Sequence, residues 1–227
     1  MEVEKIITIA IYVHAFFGGI GLIAGTVSFL VKKGSKTHIL AGKWFNIGMI
    51  ISSLISIPVA WMPFHKNMFL FLIVLFTIYM VLAGNRALTF KPIFKKTGPV
   101  LLDKLISGGM MSASIIMMGI GIYGLIRGGQ NAILFLFFGF FGLVFAIKDF
   151  RFYKNPGKVK SGWLINHLGR MLGAYIASIT AFMVAGLNFD NLIAWVLPSF
   201  LGTGAIIYWT RRVGNGKMAL TKKAEIQ

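Results

Sequence analysis

Three histidines and two arginines stand inside or at the edges of apolar stretches of this chain, where a polar side chain is costly and normally faces other protein. They are His14, His38, Arg86, His167 and Arg170. Imidazole offers a metal-ligating nitrogen, and guanidinium offers a rigid fork of donors for carboxylate or phosphate. His38 and His167 each fall within about a turn of one end of their apolar segments, so depth permits them to meet across a bundle. Arg170 is one turn from His167, and Arg86 ends its segment at the same level. Two imidazoles and two guanidiniums at one depth are the parts needed to ligate one haem b or a metal ion and to hold its carboxylates. The same set would also grip an anionic headgroup, or simply snorkel into the headgroup region.

His14 is different. With Gly18, Gly21, Gly25 and Ser28 it follows steps of four, three, four and three, which is one helical face. Small residues on a face allow close helix packing; the alternative is a slot for a flat cofactor or a lipid-like substrate. Two further stripes carry the other histidines. One is His38, Gly42, Asn46, Met49, Ser53 and Ser56; the other is His167, Arg170, Met171, Ala174, Ser178 and Ala181. His65, beside Lys66 in a short turn, is expected to be solvated. Met110, Met111, Met117 and Met118 could ligate a soft metal, but adaptable packing is the plainer expectation. Asp103 opens a segment where the helix dipole favours a carboxylate, or it pairs with Arg86.

These residues need elements to position them. The chain has 227 residues, 57% hydrophobic and 13% charged, with mean hydropathy +0.80. A soluble domain carries about a quarter charged residues, so lipid must cover part of this apolar surface. The pattern predicts seven spans, near 6–31, 38–62, 68–88, 104–126, 131–148, 163–187 and 190–210. Each reaches or approaches the ~20 residues that cross a hydrocarbon core. Turn chemistry separates them, at Lys33-Gly34-Ser35, Met62-Pro63, Lys96-Thr97-Gly98-Pro99, Gly128-Gly129, Asn155-Pro156-Gly157 and Asn188-Phe189-Asp190. The fifth span is the shortest and is rich in phenylalanine. The expected fold is all-α, a single transmembrane domain over 1–227 with a short basic tail at 211–227. The start, Met-Glu-Val-Glu-Lys, does not read as a signal peptide.

Basic residues alternate by gap. One side takes Lys32, Lys33, Lys36 and Lys43, then Arg86, Lys91, Lys95, Lys96 and Lys104. It also takes Lys148, Arg151, Lys154, Lys158 and Lys160, and Arg211, Arg212, Lys217, Lys222 and Lys223 in the tail. The other side has only Lys5, Lys66 and Arg127. The positive-inside rule therefore predicts an outside amino terminus and a cytoplasmic carboxyl terminus. Trp61 is expected near the outer surface, and Trp44, Trp163, Tyr208 and Trp209 near the inner one.

Composition also excludes. A formal charge of +17 suits nucleic acid, but here it lies in short loops between apolar helices, so no nucleic-acid partner is expected. Anionic lipid headgroups on the cytoplasmic side are the expected partner. The absence of cysteine removes disulfides, thiolate metal sites and iron–sulfur clusters. The six acidic residues, Glu2, Glu4, Asp103, Asp149, Asp190 and Glu225, all read as lying outside the middle of a span, so a proton relay through buried carboxylates is not expected. No zincin, serine-hydrolase or phosphate-loop motif is present.

The run from His14 to Gly25, followed by Lys33-Gly34-Ser35-Lys36-Thr37-His38 and Gly42-Lys43, resembles one family. It is the uncharacterised bacterial multi-pass membrane proteins catalogued as domain of unknown function 2306. Gly84-Asn85-Arg86-Ala87-Leu88 and the stretch from Asn166 to Tyr175 are similar to that family's later motifs, so the likeness covers about residues 10–187. It implies a bacterial plasma-membrane protein and directs attention to His14, His38, Arg86, His167 and Arg170, without supplying a reaction. A looser likeness is to cytochrome b-type proteins, which place histidines on haem from single helices. Two-haem members need two level pairs, whereas here only His38 and His167 are level, so at most one haem fits. Three readings follow: a haem or metal-binding redox protein, a carrier or sensor of a small or lipidic molecule, and a structural subunit of a membrane complex or homo-oligomer.

Overall fold

In the computed structural model of the chain, residues 2–92, 98–129, 131–159, 161–189 and 191–215 are described. The expectations placed on Lys95, Lys96, Thr97, Lys160, Asp190, Glu225 and the tail beyond residue 215 lie outside them. Among the described residues the structure is helical: α1 (Glu2–Leu30), α2 (Lys36–Val59), α3 (Met68–Leu88), α4 (Leu101–Arg127), α5 (Ala132–Lys154), α6 (Gly162–Ala181) and α7 (Leu192–Gly214). A π-helical turn over Phe182–Gly186 ends α6. All seven helices are long and apolar enough to cross a membrane, α6 together with its π turn, which makes this a multi-pass membrane protein.

The caps are written locally. Ser35 accepts from the His38 amide to start α2, Asn67 from the Leu70 amide to start α3, and Asn191 from the Ala194 amide to start α7. Asp103 reaches back to accept from the Val100 amide at the start of α4. Gly34 and Gly128 adopt left-handed conformations (φ 78° and 68°) at the ends of the α1–α2 turn and of α4.

The centre of the bundle is α3, whose buried residues run from Phe69 to Ala87 and pack against α2, α4, α5 and α6. Three helical pairs surround it: α1 on α2, α4 on α5, and α6 on α7. One end gathers the α1–α2 turn, the α3–α4 and α5–α6 junctions and the end of α7; it is the basic end. At the far end, Phe69 packs edge-on against Phe135 and Trp195.

Two boundaries differ usefully from expectation. The fifth helix runs to Lys154 rather than stopping near 148, and α4 begins at Leu101. Asp149 therefore lies within the last turns of α5 rather than in the loop beyond it, and is 3% exposed. The reason is tertiary, because the counter-charge that permits burial comes from a different helix.

The glycine face of α1 is filled. A Cβ at Gly18 would meet Ser52, one at Gly21 would meet Met49, and one at Gly25 would meet Tyr175 and Phe45. Across the seam, a Cβ at Gly48 would lie 2.7 Å from the Phe17 carbonyl oxygen and 2.8 Å from the Gly21 nitrogen. These are backbone atoms and cannot swing aside. Gly48→Ala should therefore lower stability in detergent by about 1–3 kcal/mol, the usual range for overpacking. Gly42→Ala, which meets nothing within 4 Å, should be neutral or slightly stabilising. Thermal unfolding of the two variants side by side checks the seam; equal behaviour would refute it.

Candidate functional site

The basic half of the bundle holds two groups of polar side chains that cross between helices. In the first, His38 near the start of α2 turns Nδ1 back to α1, 3.0 Å from both the carbonyl oxygen and the hydroxyl of Ser28. His167 on α6 places Nδ1 2.9 Å from the Gly84 carbonyl oxygen of α3. A carbonyl can only accept, so the partners assign the proton to Nδ1 in both rings and leave the lone pair on Nε2. That is the tautomer a metal-ligating histidine uses, with its second nitrogen held by the protein. Close approach makes the bond to Gly84 feasible, since a Cβ there would collide with Met171 and Arg170. His38 and His167 both stand at the basic end of the bundle, on different helices.

Lys33 completes this group. Its ammonium donates to the carbonyls of Ser28 (3.1 Å) and Phe29, closing the end of α1. It also lies 5.0 Å from the Phe29 ring and 5.4 Å from the Trp209 ring of α7. Partial burial lowers its pKa below the ordinary lysine value. Its charge is felt at His38. Among the described residues, no third histidine or carboxylate joins His38 and His167 in a group able to hold a metal ion.

The second group corrects the expectation that Arg86 and Arg170 are free anion clamps. Each already holds a carboxylate of this chain. Arg86 donates through Nε to Asp103 at 2.7 Å, the pairing that sequence had offered as one alternative. Arg170 donates to Asp149 at 2.5 Å and to the Phe145 carbonyl at 2.9 Å, with its guanidinium 4.6 Å from the Phe145 ring. Asp149 also accepts from Tyr79 at 2.5 Å and from Ser107 at 3.1 Å, while Ser107 lies 3.0 Å from the Tyr153 hydroxyl. One carboxylate thus ties α3, α4, α5 and α6 together. Asp149, Tyr79, Ser107 and Tyr153 were not among the expected site residues. A signal existed: Gly139, Gly142, Ala146 and Asp149 continue one small-residue face of α5 in steps of three, four and three, and all are buried.

His14 belongs to neither group. Its Nδ1 lies 2.7 Å from Ser56 Oγ, 2.8 Å from Ser52 Oγ and 3.0 Å from the Ser52 carbonyl, all on α2. The stripe on α2 splits between neighbours, because Asn46 donates to Asn85 of α3 at 2.8 Å. His65 is not merely solvated; its Nε2 lies 3.2 Å from a Glu4 carboxylate oxygen. Met110 and Met117 are core residues.

Both members of the Asp149–Arg170 pair are at most 5% exposed, so removing one leaves a buried charge. Asp149→Ala should cost about 3–5 kcal/mol. The double variant Asp149→Leu with Arg170→Met should lose much less, as read by thermal unfolding in mild detergent. Equal losses would show that the two charges are not coupled. Comparison with family models, curated proteins and solved structures finds no match for this chain.

Proposed function

We propose that this chain holds one haem b between His38 and His167 and serves in one-electron transfer at the basic end of the bundle. The observation that carries the reading is a pair of imidazoles at the basic end, on different helices, whose Nδ1 atoms are both committed to backbone carbonyls. Nε2 of each is left with its lone pair. The donor set favours haem over a bare metal ion. Haem would need only the two nitrogens that His38 and His167 offer, whereas a structural metal ion would want about four ligands. When bound, haem supplies the redox chemistry, and the protein supplies ligation, orientation and local charge. The Lys33 ammonium and the basic turns provide cations at that end, in place of Arg86 and Arg170.

A second reading, a structural subunit of a membrane complex, draws support from the α1–α2 seam. The face beneath His14 that a carrier would use is occupied by Ser52, Met49 and Phe45. The motif resemblance to the family of unknown function supports attention to the same positions and adds no reaction.

We also propose that the membrane is the bacterial plasma membrane, with the basic end cytoplasmic. The support is the lysine and arginine distribution. The chain has no cysteine, so single cysteines report cleanly. Lys66→Cys should react with an impermeant maleimide in intact cells, and Lys158→Cys only after permeabilisation. The reverse pattern would invert the bundle.

For the cofactor, protein purified in mild detergent should be coloured, with a Soret band and about one iron per chain. His38→Ala and His167→Ala should each abolish or strongly shift that band, while His14→Ala should leave it in place. A colourless, iron-free preparation that still cannot be loaded with haem would remove the reading and leave the structural one.

A further inference from the structure

The last carbonyls of a helix have no amide of their own helix to bond and must find another donor. At the end of α1 the carbonyls of Ser28 and Phe29 are in this position. Among the described residues, no backbone amide beyond the helix donates to either. Side chains take the place of amides. Lys33 donates its ammonium to both, at 3.1 Å in the case of Ser28. His38 brings Nδ1 to the same Ser28 oxygen at 3.0 Å. One carbonyl thus carries two donors, and one of them is a full cation.

The sharing is built into the turn. Left-handed Gly34 (φ 78°) and the Ser35 cap reverse the chain between α1 and α2, so Lys33 and His38 both reach back to one atom. Two rings hold the ammonium there, Phe29 at 5.0 Å and Trp209 of α7 at 5.4 Å, since an aromatic face attracts a cation. His167 is the contrast. Its Nδ1 bonds the Gly84 carbonyl at 2.9 Å. The two arginines near that bond in sequence, Arg86 and Arg170, donate elsewhere. A carbonyl oxygen has two lone pairs and accommodates both donors, but an ammonium draws its electron density away from a second N–H.

We propose that Lys33 is a positioning residue for His38. Through the shared Ser28 carbonyl it lowers the donor strength of Nε2, and thereby raises the reduction potential of a haem bound there. The redox consequence rests on the haem reading above; the effect on the ring rests on the shared carbonyl alone. Two causes act with one sign. A hydrogen bond from the second nitrogen of a ligating histidine raises its basicity, so weakening that bond leaves Nε2 a poorer donor to oxidised iron. A fixed positive charge beside the ring also disfavours the more positive, oxidised state. The two imidazoles are then unequal, with His38 the weaker donor and His167 the stronger.

The test uses the full chain in mild detergent with nitrogen-15 in its four histidines. His38→Gln and His167→Gln assign the two Nδ1–H resonances. In haem-free protein, Lys33→Met should move the His38 Nδ1–H proton downfield, as its bond to Ser28 strengthens, and leave that of His167 in place. Lys33→Arg keeps a cationic donor and should restore most of the original position. In haem-loaded protein, Lys33→Met should lower the midpoint potential, and Lys33→Arg should recover most of the loss. A merely structural role in closing α1 would lower thermal stability without this pair of directed shifts. If Lys33→Met does not fold, Lys33→Gln, a donor without charge, should give a smaller shift in the same direction. A His38 resonance that stays in place, or moves together with that of His167, overturns the proposal whether or not haem binds. So does an unchanged potential in loaded protein. A downfield shift in protein that takes up no haem sinks the haem reading alone and leaves the hold of Lys33 on His38 standing.

Discussion

A charge can remain in hydrocarbon only if its counter-charge comes with it, and in this bundle Asp149 and Arg170 meet that condition together. Much of the architecture of the basic half follows. The pair links α5 to α6, whose backbones make little close contact of their own. Asp149 accepts from Tyr79 and Ser107 besides Arg170, so the carboxylate is satisfied by three different helices. A buried ion pair is weak evidence for stability in itself. Its value here is specificity: it fixes how far the α4–α5 pair is rotated against the centre. A rotation by one residue would carry Asp149 into lipid.

The other half is organised by the opposite device. Along the seam between α1 and α2 the facing residues are small or uncharged, and contact is made by removing side chains. Gly48 seats against the Phe17 carbonyl and the Gly21 backbone, and Gly21 admits Met49. Small residues let backbones approach where the hydrophobic effect gives no drive between helices. His14 fits this scheme as a cross-link, since its ring is held by two serine hydroxyls and a carbonyl of α2. Tight packing and ligand binding compete for one surface, and on this seam packing has taken it.

Sequence revealed the elements better than the site. Apolar length and turn chemistry placed seven helices, and small-residue spacing marked the α1 face as a contact surface. The third helix agreed with expectation at both ends, because Asn67 caps it in a way that reads locally. The fifth did not. Lys148, Asp149 and Arg151 resemble the start of a loop unless the partner of Asp149 is known. That partner sits 21 residues later in α6, and helix order around a bundle is not encoded in spacing. The same blindness made Arg170 read as an anion clamp, whereas the pairing of Arg86 with Asp103 had been open as an alternative. Burial of Asp149 was foreshadowed only by its register with Gly139, Gly142 and Ala146.

The histidines show how the two devices combine. His167 reaches the Gly84 carbonyl because Gly84 lets α6 sit against α3. His38 reaches Ser28 because the left-handed Gly34 and the Ser35 cap turn α2 sharply back along α1. Each ring is thus oriented by backbone of a neighbouring helix, and that backbone is positioned by close packing. Lys33, which closes α1 on the same Ser28 carbonyl, adds a positive charge beside them. Arg86 and Arg170 are paired with Asp103 and Asp149, and the cation beside His38 is Lys33. An uncharged imidazole beside a fixed cation suits ligation by Nε2, and what holds each ring in place is its own carbonyl partner, Ser28 for His38 and Gly84 for His167.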